Sequence, residues 1–137
     1  MDRFVKNFIF MSIVYLVLAS FLGVAMLLDS DMLAWKFVHS HLMLLGWVSM
    51  MIYGVGYHIL PRFAGRLLKS KAMAEVQFWL ANAGLTGMLL FYMLDRYHPE
   101  TAAYKSLSGL FGGLEVVSIA LFFYNLVATV YSKGEGE

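Results

Sequence analysis

The 137-residue chain has no cysteine, which removes disulfides, thiolate metal sites, iron–sulfur clusters and covalent CxxCH haem attachment together. Any metal or haem must therefore be held by histidine, methionine or oxygen ligands. Charge is scarce as well: 14% of residues are charged and the formal net charge is +1. No basic cluster is large enough for a phosphate-binding surface, so nucleic acid is not an expected partner. No Ser-His-Asp arrangement, P-loop or dinucleotide fingerprint is present, which leaves hydrolase and nucleotide-binding functions without residues. An internal repeat is also missing, and the one low-complexity stretch, "KGEGE" at 133–137, reads as a flexible, solvated tail.

What the chain has instead is apolar length. Hydrophobic residues make up 61% and the mean hydropathy is +0.71, more apolar surface than a soluble domain of this size can hide. A helix crossing a hydrocarbon core of about 30 Å needs roughly 20 residues. Four runs meet that length: Phe4–Leu28, Leu33–Leu60, Ala74–Leu94 and Tyr104–Tyr131. The first exceeds the apolar core of a secretory signal and lacks an A-x-A cleavage site, so it reads as a retained helix. The expected fold is all-α, a single antiparallel four-helix bundle embedded in the lipid bilayer.

The basic residues orient that bundle. Arg3, Lys6, Arg62, Arg66, Lys69, Lys71 and Lys133 fall on one side, against Lys36, Arg96 and Lys105 on the other. The positive-inside rule then predicts both termini in the cytoplasm, with His39, His41 and His98 at the outer face and His58 near the inner one.

Histidines are the candidate ligands, because neutral imidazole is the commonest nitrogen ligand for metals and the usual axial ligand of b-type haem. Two positions apart on an α-helix is about 200° around the axis. His39 and His41 therefore point to nearly opposite flanks and suit two separate sites. His58 lies about 26 Å further along the axis at 1.5 Å per residue, too far to serve the same haem. It reads first as an interfacial amphipathic group, and otherwise as the ligand of a second site. His98, in the polar loop beside Pro99 and Glu100, reads as a surface residue.

Glu115 is out of place in the fourth run, where an unpaired charge costs at least ~2.5 kcal/mol. A proton relay and a structural interhelical hydrogen bond both remain open for it. Met43, Met50, Met51, Met88 and Met93 read as packing rather than as iron ligands. Gly46, Gly54, Gly56, Gly84, Gly87, Gly109, Gly112 and Gly113 suit close helix approach.

The stretch "HSHLMLLGWVSMMIYGVGYHILPRF", with its H-x-H motif, Gly-Trp and terminal "LPR", resembles the catalytic subunit of haem-copper oxygen reductases, particularly the cbb-type, and of the related nitric oxide reductases. "QFWLANAGLTGMLL" and "GGLEVVSIALFFYNLVAT" resemble the two helices that follow it there. The resemblance implies haem b, with His39 matching the high-spin ligand and His41 the low-spin ligand. It also implies propionates at the outer face, where Arg96 and Lys105 are the available cations, and a prokaryotic cytoplasmic membrane. The chain departs from that family in having four spans rather than about twelve. It also lacks histidines for a copper or non-haem iron site within one protomer, since "HPE" at 98–100 sits in a loop. That family's threefold arrangement of four-helix arcs suggests a homo-oligomer with haem at protomer interfaces, a trimer before a dimer.

The expected function is a membrane b-type cytochrome acting in electron transfer or in binding nitric oxide or oxygen. Two alternatives stand beside it: a minimal nitric oxide or oxygen reductase completed by oligomerisation, and a cofactor-free accessory subunit of a respiratory complex. The residues name no redox partner.

Overall fold

The computed structural model describes residues 1–131; the expected tail at 133–137, and Lys133 with it, lie outside the described residues. Within 1–131 the chain is helical, with no strand. Four helices are long and apolar enough to cross a membrane: α1 (Arg3–Leu28), α2 (Ser30–Phe63), α3 (Lys71–Tyr97) and α4 (Ala103–Val130). Most run past the apolar stretches that predict them; α2 begins at Ser30 rather than Leu33, and α3 covers Lys71–Tyr97 rather than Ala74–Leu94. Apolar length reports the part that suits hydrocarbon, whereas helical hydrogen bonding continues until a cap stops it.

The caps are visible. Ser70 Oγ accepts from Met73 N at 3.1 Å at the start of α3, the usual role of an N-terminal serine. At the end of α2, Gly65 adopts φ +62°, a left-handed conformation that favours glycine. There Gly65 N donates to Arg62 O (3.0 Å) and Arg66 N to Pro61 O (2.9 Å), the paired bonds that close a helix C-terminus.

The second helix is not uniform. A 3₁₀ turn (Ser30–Trp35) leads into a short α segment (Lys36–His41), a π segment (Leu42–Ser49) and a final α segment (Met50–Phe63). Ser49 Oγ donates five residues back to Leu44 O at 2.9 Å, following the wider π turn. Gly46, in the middle of this segment, lies against Tyr15 of α1; a Cβ there would sit 2.7 Å from Tyr15 Cβ.

Helices α1 and α2 pair along their length, as do α3 and α4. Phe4 meets Tyr57, Phe8 meets Tyr53 and, further along α1, Tyr15 meets Gly46. In the other pair Gly87 meets Phe111, Gly84 meets the Glu115 backbone, and Ser118 Oγ donates to Gln77 O at 3.3 Å. An aromatic cluster joins the two pairs: Phe8 packs edge-on to Phe78 at 5.1 Å, and Tyr53 and Tyr57 pack on Phe122 at 4.6 and 5.1 Å.

Polarity is distributed as lipid requires. Ser12, Gln77, Glu115, Ser118, Asn125 and Thr129 are buried, while Phe10, Phe21, Leu27, Leu110, Val116 and Phe123 are exposed. Buried polar groups hold helices together where apolar contact with lipid offers no drive to associate. Asn125 shows this: its Nδ2 donates to Ser70 O (2.8 Å) and its Oδ1 accepts from Ser70 N (3.1 Å), while Lys69 N donates to Thr129 Oγ1 (2.9 Å). These bonds pin the loop before α3 onto the end of α4. Arg3, Lys6, Arg62, Arg66, Lys69 and Lys71 gather at this end, called the basic end below.

The expected role of the glycines holds in part. Gly84 allows backbone contact, since a Cβ there would lie 2.8 Å from Glu115 N, whereas Gly109 and Gly113 have nothing within 4 Å. Gly84→Ala is therefore expected to lower stability by about 1–3 kcal/mol, because backbone cannot yield as a side chain can. Gly109→Ala should instead raise it by about 0.5–1 kcal/mol through helix propensity alone. Unfolding midpoints of the two variants in a denaturing-detergent titration check the opposite signs.

Candidate functional site

The α segment Lys36–His41 carries both histidines of the H-x-H pair, and their rings leave the helix on different sides. His39 turns toward α1, where its Nδ1 donates to the carbonyl oxygen of Ala19 at 3.0 Å. Gly23, four residues on in α1, makes this approach feasible: a Cβ there would stand 3.0 Å from His39 Cε1. A main-chain carbonyl inside a helix keeps a second lone pair, and the missing side chain at Gly23 leaves that lone pair open to the imidazole.

His41 turns the other way. Its Nδ1 donates to Phe37 O, one turn back, at 2.8 Å. Its ring lies on Phe37 with centroids 3.9 Å apart, and Phe37 in turn stacks on Tyr92 of α3 at 4.0 Å and 21°. One imidazole is thus seated on α1 and the other on a stack reaching α3.

Both Nδ1 atoms must carry hydrogen, because a carbonyl oxygen only accepts. In the neutral imidazole each Nε2 then presents a lone pair, and neither makes a hydrogen bond among the described residues. Metal-ligating histidines are held in this way, one ring nitrogen bonded to a carbonyl and the other directed to the metal. The π segment begins directly after His41, and such interruptions concentrate at functional positions.

His58 is arranged oppositely. Arg62, one turn on, donates to both His58 Nδ1 and His58 O. An Nδ1 that accepts leaves the hydrogen on Nε2, so this imidazole offers no lone pair to a metal in this arrangement. His98 pairs with Glu100, Nδ1 to Oε1 3.3 Å, both exposed in the loop after α3. Arg96 lies one turn beyond Tyr92, toward the end that carries the paired histidines, and Lys105 lies in the first turn of α4. Neither makes a hydrogen bond or ion pair among the described residues. Nor do three or more His, Asp or Glu side chains converge anywhere in them as a metal site.

Glu115 is 2% exposed, at the level where Gly84 brings α3 against α4. The interhelical hydrogen bond open to it does not form: both carboxyl oxygens lack a partner, as do both amide atoms of Gln77 and the Tyr57 hydroxyl. Tyr57 faces Asn125 without reaching hydrogen-bond geometry. On α1, Tyr15 donates to Asn82 Oδ1 at 2.8 Å.

Phe37, Tyr92, Gly23 and the Ala19 carbonyl were not singled out by sequence. Phe37 stands four residues before His41, a spacing that places two rings on one helix face; the others come from distant parts of the chain.

No family model matches the chain. Over 51 residues it is 39% identical to the "Cbb3-type cytochrome c oxidase subunit CcoN1" of Stutzerimonas stutzeri, a stretch that makes up 36% of this chain and 11% of that protein. Together with four membrane-capable helices, this supports an integral membrane protein with a partial relationship to haem-copper oxidases.

The ring geometry predicts the tautomers. In protein with ¹⁵N-labelled histidine, His39 and His41 should show the Nδ1–H form and His58 the Nε2–H form. Arg62→Gln should release only His58 from that state, with solid-state or solution ¹⁵N shifts as the readout.

Proposed function

We propose that the chain is a membrane b-type haem protein in which His39 and His41 ligate haem iron through Nε2. The observation that carries this reading is the matched state of the two imidazoles, each tied through Nδ1 to a main-chain carbonyl with Nε2 unpartnered. Bound haem would supply one-electron chemistry, or an open position for a diatomic gas such as nitric oxide or oxygen. The chain's own contribution is orientation. Ala19 O and Phe37 O hold each tautomer and each ring plane, the Phe37–Tyr92 stack braces His41, and Gly23 leaves room beside His39.

Because the two rings leave α2 on different sides, one macrocycle is not gripped by both. Residues of a neighbouring copy would then complete each site, which favours a homo-oligomer with haem at protomer interfaces, a trimer before a dimer. In this reading the helices form an antiparallel bundle in a prokaryotic cytoplasmic membrane, with the basic end and both termini inside. Arg96 and Lys105 would meet the propionates, and Glu115 would hold a proton near the middle of the membrane. Because the chain spans 11% of its oxidase relative, that protein's catalytic role is not carried over to it.

Spectra of the detergent-purified protein test the reading. Sharp bands on dithionite reduction and a positive pyridine haemochrome are expected, with haem content reduced in His39→Ala and in His41→Ala and retained in His58→Ala. Gly23→Val should weaken the His39 site while sparing His41, because its side chain displaces the ring. A wild-type protein that folds and stays colourless after haem reconstitution would overturn the proposal and favour a cofactor-free accessory role. A shift on adding carbon monoxide separates gas binding from electron transfer.

A further inference from the structure

Two adjoining clefts run between α1 and α3 from the basic end inward. The first, about 170 Å³, is lined by Arg3, Asn7 and Glu75 with Phe4, Phe78 and Trp79. The second, about 390 Å³, is lined by Met11, Tyr15, Asn82, Ala83 and Thr86 and shares Phe78 and Trp79 with the first. The shared aromatics make them one groove with a charged mouth and a largely apolar run. Its length is informative: from Arg3 to Tyr15 it follows α1 for about 18 Å at 1.5 Å per residue. Half of a hydrocarbon core of about 30 Å is about 15 Å, so the groove extends from headgroup level to the bilayer middle, the reach of one acyl chain.

The mouth specifies the headgroup. The side chains of Arg3, Asn7 and Glu75 make no hydrogen bond or ion pair among the described residues, although the nearby Lys71 and Asp2 do pair, at 3.1 Å. Arg3 and Glu75 therefore line one cleft with opposite charges that do not neutralise each other. A group bearing both a phosphate and an ammonium answers both. The ammonium must carry N–H donors to bond the Glu75 carboxylate, which a quaternary choline lacks, and phosphatidylglycerol brings no cation at all.

We propose that this groove is a binding site for one phosphatidylethanolamine molecule, its phosphate on Arg3 and Asn7, its ammonium on Glu75, and an acyl chain laid along Met11, Tyr15 and Ala83. The site is independent of the haem reading, since lipid retention is measured whether or not the protein carries haem.

The test is native mass spectrometry of the full-length protein, delipidated in mild detergent and then offered phosphatidylethanolamine, phosphatidylcholine and phosphatidylglycerol in equal amounts. Phosphatidylethanolamine should be retained, one per chain, about fivefold over either competitor, as one interfacial charge contact warrants. Arg3→Gln and Glu75→Gln should each reduce that retention about fivefold, and Glu75→Gln should abolish discrimination against phosphatidylglycerol. Both side chains are exposed, so these variants keep the fold, and an unchanged helical spectrum confirms it. Ala83→Trp, which fills the apolar run, should lose retention with the headgroup residues intact. Equal retention of the three lipids, preference for phosphatidylglycerol, or indifference to both charge substitutions overturns the proposal. So does efficient disulfide cross-linking of Ala83→Cys in native membranes, since the chain has no other cysteine and the groove would then be covered by a second copy.

Discussion

Hydrocarbon offers a peptide group no hydrogen-bond partner, so a chain this apolar must close its backbone bonds within its own helices. Much of the structure follows from that constraint. The four helices are long, their caps fall at polar residues such as Ser70 and at Gly65, and polar side chains such as Gln77, Ser118 and Asn125 turn inward while apolar ones such as Phe21, Leu27 and Leu110 face outward. Association cannot come from expelling water into lipid. It comes from close approach, as at Gly84 against the Glu115 backbone and Gly46 against Tyr15, and from specific bonds, as between Asn125 and Ser70.

The same constraint prepares the paired histidines. An imidazole in an apolar bundle needs a partner for its N–H, and the nearest acceptors are helix carbonyls. His39 takes the Ala19 carbonyl of a neighbouring helix, and His41 takes a carbonyl of its own. Satisfying Nδ1 in this way leaves Nε2 of the neutral ring as a lone-pair donor, so in the haem proposal packing and ligand chemistry share one set of contacts. The His39 seat depends on the α1–α2 pairing, which Gly46 and the π segment allow to be close. His58, near the basic end, has Arg62 within reach, and the guanidinium takes the lone pair that a metal would need.

Glu115 and the α1–α3 groove show what lies outside those contacts. Buried carboxyl oxygens without partners are costly in a low-dielectric interior, yet Glu115 stands beside Gly84, where α3 meets the α4 backbone. At the basic end, Arg3 and Glu75 border one cleft without pairing with each other, and in the lipid-site proposal their charges meet a headgroup instead. The unpaired charges of Arg3 and Glu75 thus lie at one end of the bundle and the paired histidines near the other.

The amino-acid sequence by itself determined the helical class, the four membrane-capable segments and the divergence of His39 from His41, because length, hydropathy and a fixed rotation per residue are local properties. The apolar runs located the helices but not their caps, since Ser70 and Gly65 act through individual hydrogen bonds that hydropathy does not register. Only the tertiary structure decided which nitrogen of each histidine is bonded, that Gly23 opens the Ala19 carbonyl, that Tyr92 completes the stack on His41, and that Glu115 lacks the interhelical bond left open to it. Those outcomes depend on pairs such as His39 with Ala19 or Phe37 with Tyr92, separated by many residues, whose meeting is set by helix packing and by the π segment that rephases α2. Spacing along one helix says where a side chain points, while the atoms it meets there belong to another helix.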